Sequence, residues 1–354
     1  MKTEFFLGAN SGAGFYSLYD GFCAGNGDFL HVIKGGPGTG KSGFMRRMGA
    51  AAEKAGLNVE YIVCSGDPGS LDGVYFPALH TGWVDGTAPH VMDPVMFGAS
   101  GDYLNLGEYC DTAGTRAHRG EIAELTAQYK ALYVTAYSRL SAAAAAAPCP
   151  AGLITEDELT AARRRALGVC ARELPRSSKN LTPGKVSRRF LSAISCDGRL
   201  FLTPTLTTLC KRVYTLDDRL GLAEPFLEAV LGEAVSKGVD AMVCPDPLTP
   251  RRTETLLLPS LSLGFLALRG DLEPELTPFR HLRLDAIVPS ERLRPLRARL
   301  RADERTRREL LSAAVDSLSQ AKALHDQLEK IYNPFVDFPG LKSRAEAEAA
   351  KLIK

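Results

Sequence analysis

Gly35, Gly36, Pro37, Gly38, Thr39, Gly40, Lys41 and Ser42 follow the order G-x-x-x-x-G-K-[ST], the spacing of a phosphate-cradling loop. Gly35, Gly38 and Gly40 are expected to take φ > 0, so that successive backbone N–H groups converge on phosphate oxygens. A helix starting at the loop would point its positive end at the same oxygens. Lys41 would reach the β- and γ-phosphates as a mobile charge, and the Ser42 hydroxyl would ligate Mg²⁺. The chemistry expected of these residues is binding of a nucleoside triphosphate with Mg²⁺.

That chemistry also needs a carboxylate near the loop to hold the metal shell. Asp85, which ends the run Thr81-Gly82-Trp83-Val84-Asp85, is the first candidate. Asp67 and Asp72 are the alternatives, for the metal or for orienting the attacking water or an acceptor. Gly86 follows Asp85 where many fast ATPases carry a glutamate, so a general base must come from elsewhere. His90 stands downstream, placed either to polarise water at the γ-phosphate or simply to stabilise a surface loop. Trp83 reads as a core aromatic, and Arg46 and Arg47 as exposed helix residues without a role.

These side chains need a frame. Phe29-Leu30-His31-Val32-Ile33 suits a buried parallel strand leading into the loop, and Phe44, Met48, Ala51 and Ala55 share one helical face after it. The wider chain repeats itself. NVEYIVCSGDP matches the run ending at Cys244 at an offset of 180, PALHTGW matches PSLSLGF at 182, and FFLGANSGAG matches RFLSAISCDG at 184. Helical stretches near 116–145 and 302–332 close the two halves.

The expected fold is therefore α/β: a P-loop NTPase three-layer parallel sheet in two tandem copies, each with long C-terminal helices. Residues 1–150 form the active copy, 151–186 a helical linker with a charged helix over Glu156–Glu173, and 187–354 a degenerate copy expected to fold alone. At an offset of 180, Lys41 faces Gly221 and Ser42 faces Leu222, while Lys34 faces Tyr214; at 182, Asp85 faces Ala267. Asp217 and Asp218 would repel phosphate there.

Composition sets bounds. With 354 residues, 45% of them hydrophobic and 24% charged, the chain exceeds what one core usually serves and is not globally disordered. A net charge of +2 does not indicate nucleic acid, and the basic stretch from Arg292 to Arg308 reads as a solvated helix face. No apolar run is long enough for a membrane span, and a cytoplasmic location is expected. The eight cysteines form no C-x-x-C pair and read as buried thiols.

KGGPGTGKS, YIVCSGDPGSLDGV, VDGTAPHVMDP and AKALHDQLEKIYNPFVDF together resemble a bacterial family of tandem P-loop proteins of the ATPase or nucleotide-kinase-like kind. The resemblance runs through most of residues 5–145 and thins over 187–354. It implies an ATP-binding, cytosolic, two-repeat protein; the missing second P-loop is a departure from the family. The AAA+ ATPases share the PGTGKS wording, but their acidic pair after the second core strand is missing here. The leading expectation is a Mg²⁺-dependent ATPase or ATP-driven switch, with a small-molecule or nucleotide kinase and a non-hydrolysing nucleotide-sensing scaffold as alternatives. The absence of an N-K-x-D string favours ATP over GTP. The acceptor, small molecule or protein, is left unnamed, and self-association is left open.

Overall fold

The computed structural model describes residues 1–88, 91–146, 152–176, 182–270 and 272–353. His90, Cys149 with most of the proline-rich turn around it, and the centre of RSSKNLTPGK lie outside the described residues.

The first half contains β1 (Lys2–Phe5), the hairpin β2 (Gly8–Ser11) and β3 (Gly14–Ser17), and β4 (Phe29–Lys34). After α1 (Lys41–Lys54) come β5 (Val59–Val63), β6 (Leu71–Phe76), β7 (Thr81–Asp85) and β8 (Gly101–Asn105). Helices α2 (Thr112–Ala117), α3 (Arg119–Ala145) and α4 (Glu156–Glu173) follow. The alanines 142–145 prolong α3, and Thr155 with Glu158 forms a capping box that starts α4.

The second half repeats the plan with β9 (Val186–Arg188), β10 (Ser192–Ser195), β11 (Gly198–Phe201), α5 (Thr203–Leu209), β12 (Arg212–Asp217) and α6 (Ala223–Ser236). It continues through β13 (Ala241–Pro245), β14 (Thr253–Leu258), β15 (Leu263–Leu268), β16 (Arg280–Leu282), α7 (Ser290–Leu293), α8 (Arg297–Tyr332) and α9 (Phe338–Leu352). The basic stretch lies mainly on the first turns of α8, where exposed Arg299 pairs with Asp303 and exposed Arg308 with the half-buried Glu304, while Arg307 is buried, which corrects the expected solvated face at that position.

Both sheets have six strands in matching order, β1-β5-β6-β7-β4-β8 and β9-β13-β14-β15-β12-β16. They are mixed, which corrects the expected parallel sheet: β6 runs antiparallel to β5 and β7, and β14 antiparallel to β13 and β15. The short β5–β6 and β6–β7 connections leave no room for a crossover helix, so the chain reverses.

Strand residues alternate between two cores. Ile33, Tyr61, Val74 and Trp83 face outward against Phe44 and Met48 of α1. Leu30, Val32, Ile62 and Val84 face inward and share one core with Val213, Cys244, Leu257 and Leu266 of the other sheet. The inner layer of each half is thus the other half, not a second helical layer. The shared core weighs against the expectation that residues 187–354 fold alone. Leu341, Ala345 and Ala349 of α9, at the very end of the chain, pack into the outer core of the first half.

The repeat register is also corrected. β5 and β13, like β6 and β14, are related by 182 residues rather than 180, so no insertion separates them. β4 and β12 are related by 183, which places His31 opposite Tyr214 and Lys34 opposite Asp217. The helices α1 and α6 are related by 182, so Lys41 answers Ala223 and Ser42 answers Glu224.

Candidate functional site

The glycine-rich loop joins β4 to α1, as the apolar run and the helical face require. Gly38 and Gly40 adopt φ of +67° and +76°, where a side chain is strained. Gly35 is outside that region, contrary to expectation. Its reason for being glycine is space, since a Cβ there would stand 2.6 Å from Thr39 Oγ1. Thr39 Oγ1 in turn donates to Gly36 O at 2.8 Å, which tightens the loop.

Lys41 opens α1 and folds back over the loop, donating from Nζ to Gly35 O at 3.2 Å and Gly36 O at 2.9 Å. The same Nζ lies 3.5 Å from Asp85 Oδ2, and the two side chains are only 12% and 13% exposed. Parallel pairing of Ile33 with Asp85 carries that carboxylate to the loop. Asp85 Oδ1 accepts from Thr87 N at 2.9 Å and Thr87 Oγ1 at 2.6 Å, so the group is oriented from its far side. Ser42 Oγ accepts from Leu71 N at 2.9 Å.

The three candidate acids separate. The antiparallel register that pairs Gly73 with Val84 sets Asp72 beside Asp85 on the neighbouring strand. Asp72 is buried and accepts from the Tyr19 hydroxyl at 2.9 Å. Burial first, and then the Asp72 charge, push the Tyr19 phenol well up, so it stays a donor. Asp67 sits on the rim, accepting from Gly69 N and Ser70 Oγ and lying 3.5 Å from Lys322 Nζ. The structure thus gathers Lys41, Ser42, Asp72 and Asp85, and leaves Asp67 at the edge. Trp83 is a core residue, stacked on His31 with ring centroids 4.3 Å apart.

Two contributions escape the sequence reading. Lys34 Nζ donates to Gly86 O at 3.0 Å and Met92 O at 3.1 Å, which ties the segment after Asp85 to the end of β4. The other comes from the far end of the chain. A Cβ on Gly38 would meet Asn333 Oδ1 at 2.9 Å and Glu329 Cβ at 3.3 Å, and one on Gly36 would meet the Tyr332 ring at 3.5 Å. Asp111 N donates to Phe335 O and Asp337 N to Tyr109 O, both at 2.8 Å, clipping residues 335–337 beside the loop. The string running from Ala321 to Phe338 carried the available signal, because it stood out together with the loop strings.

At the matching place in the second half, Asp218 Oδ1 accepts from Ala223 N at 3.0 Å, filling the start of α6 with a carboxylate. Arg269 donates to Asp218 Oδ2 at 2.7 Å and Asp246 Oδ2 at 2.6 Å, and all three side chains are buried. Despite burial, the Arg199 and Arg269 charges hold the Asp246 carboxyl well below its ordinary range. An internal ion network therefore stands at the start of α6 and lines a cavity of about 60 Å³ there. No protein-family model, curated protein or solved structure matches the chain.

Proposed function

We propose that the first half binds Mg²⁺–ATP at residues 35–42 and acts as an ATPase or ATP-driven switch, on a P-loop NTPase-like site. The observation that carries this reading is the loop itself: left-handed Gly38 and Gly40 lead into the N-terminus of α1, with Lys41 Nζ 3.5 Å from Asp85. Free N–H groups at a helix start, together with one lysine, form an anion site of triphosphate character.

The oxygen donors fit a hard cation. Ser42 Oγ accepts only the Leu71 N–H among the described residues, and Asp85 Oδ2 faces Lys41, which an arriving phosphate would draw away. Bound there, Mg²⁺ would neutralise charge on the β- and γ-phosphates. Lys41 leaves the loop carbonyls for the phosphate oxygens, Thr87 keeps Asp85 oriented, and the Tyr19 hydroxyl holds Asp72 behind it.

Calorimetry with Mg²⁺–ATP on the full chain tests this. Lys41→Ala is expected to lose ATP binding and phosphate release while remaining folded; an unchanged affinity in the folded variant overturns the reading. The switch form is favoured over simple hydrolysis by one feature: α8 of the second half rests on the loop, so a ligand that moves the loop moves that helix.

A further inference from the structure

The cavity of the second half lies where the first half carries its loop. It opens past the ends of β12, β13 and β15, which run in one direction, and before the start of α6. Open α/β sheets take ligands at such strand ends. Gly221 stands at its edge with φ of +83°, 183 residues after Gly38, the offset that relates β12 to β4. The place has thus kept a left-handed glycine while losing the lysine and serine of the loop.

Four arginines, 219, 252, 269 and 307, line the space against Asp218, Asp246 and Glu304, an excess of one positive charge. The three acids are committed. Asp218 accepts from Ala223 N and Arg269, and Asp246 accepts from Leu248 N and Arg269 and lies 3.7 Å from Arg199. Glu304 lies 3.5 Å from Arg307 and 3.3 Å from Arg308. Behind the wall, Glu224 accepts from Thr253 N and lies 4.0 Å from Arg269.

Arg219 and Arg252 differ from the other two. Neither guanidinium makes a hydrogen bond or ion pair among the described residues, and the Thr249 hydroxyl beside them has no partner there either. Arg219 is exposed, and Arg252 is half-buried with Nη2 2.6 Å from where a Cβ on Gly221 would stand. Glycine at 221 therefore leaves room for that guanidinium. Across the space, Ala143 and Ala144 of α3 and Leu248 give an apolar wall, backed by Gly12, whose N–H donates to Leu248 O at 2.9 Å.

A guanidinium fork suits a carboxylate, and a single excess charge suits a monoanion. A phosphate dianion would bring more charge than the lining offsets and would meet Asp218 and Asp246. The volume of about 60 Å³ admits about four to six non-hydrogen atoms. We propose that this cavity binds a short-chain monocarboxylate, its head on Arg252, Arg219 and Thr249 and its alkyl end on Ala143, Ala144 and Leu248. The site is separate from the glycine loop and leaves the Asp218 cap of α6 in place.

The test is calorimetry on the full chain with acetate, propionate, pyruvate and inorganic phosphate, against sodium chloride at equal ionic strength. At least one of the three carboxylates is expected to bind once per chain, and phosphate at least about tenfold more weakly. Arg252→Gln should weaken that binding by about tenfold or more, with Arg252→Lys between it and wild type. Arg219→Gln changes an exposed residue and should also weaken it, whereas Lys41→Ala should bind the carboxylate as the wild type does. Affinities weaker than about 10 mM for all three carboxylates overturn the proposal. So does an Arg252→Gln affinity within about threefold of wild type. Phosphate binding as tightly as the best carboxylate overturns the ligand class, and loss of carboxylate binding in Lys41→Ala overturns the placement.

Discussion

Phe6 and Phe190 exchange both of their backbone hydrogen bonds, at 2.9 and 2.8 Å, so equivalent residues of the two halves pair with each other. A local two-fold axis passes between them. On either side, Leu18 N donates to Leu7 O and Leu202 N to Leu191 O, the same bond 184 residues apart. The halves meet as the subunits of a symmetric dimer would, joined in one chain.

The shared core makes a first prediction. Separating the halves would expose eight buried side chains of the second half, from Leu191 to Leu272. At about 1.5–3 kcal/mol for each of the aliphatic ones, this is comparable with the usual net stability of about 5–15 kcal/mol. An isolated 187–354 fragment is expected to show no cooperative thermal unfolding and to bind a dye for exposed apolar surface. A sharp melting transition in the fragment would count against the shared core.

The place of Asp85 predicts a selective defect. Asp85→Asn should weaken ATP binding by about 10-fold or more in Mg²⁺ and much less in EDTA, because its contact with nucleotide runs through the cation. Calorimetry under both conditions decides; an equal loss in the two would assign Asp85 to the protein's own structure through Lys41.

Stoichiometry is expected to be one nucleotide per chain. Asp218 already caps α6 and is locked by Arg269, while Ala223 and Glu224 replace Lys41 and Ser42. A phosphate would have to displace a buried, fully bonded carboxylate and would leave Arg269 and Asp246 rearranged, at a cost of several kcal/mol. Equilibrium dialysis giving a value near two would show that the second half opens.

A pH effect follows from Asp285. Burial, and next the neighbouring Asp217 carboxylate, raise its pKa to about 6. The unfolded chain loses this proton near the ordinary aspartate value of 3.8, whereas the folded chain keeps it until about 6. The folded state therefore binds more protons between these values, and this group's contribution to stability falls as pH rises through that window. Melting temperatures of the wild type and Asp285→Asn, compared from pH 4 to 7, should diverge in the variant's favour as pH rises; parallel curves would remove Asp285 as the source.

Much of the frame was legible in the sequence because its signals are local. The strand Phe29–Ile33, the helix after Gly40 and the capped helix at Glu156 follow from periodicity and capping, which act over a few residues. The repeat was visible in short strings, yet its register slipped by two residues over β5 and β13. Apolar runs of similar composition align equally well at either offset, and the hydrogen-bonded ladders distinguish them. Gly38 and Gly40 were readable as left-handed positions, since an αL turn before a helix asks for glycine on conformational grounds alone.

Tertiary structure decided what depends on residues far apart in the chain. Sheet direction follows from short connections that reverse β6 and β14, which composition does not encode. The choice among Asp67, Asp72 and Asp85 was set by strand register, because a carboxylate's place beside Lys41 depends on which strand lies next to β4. Glu329, Tyr332 and Asn333 reach the loop across almost three hundred residues, carried there by the packing of α8 on α3 and of α9 on α1. No local pattern marks such a contact. Its physical cause is the burial of Leu311, Ala314 and Leu318 of α8 against α3, and of Leu341, Ala345 and Ala349 of α9 against α1, both in the opposite half, and that burial exists only once both halves have folded together.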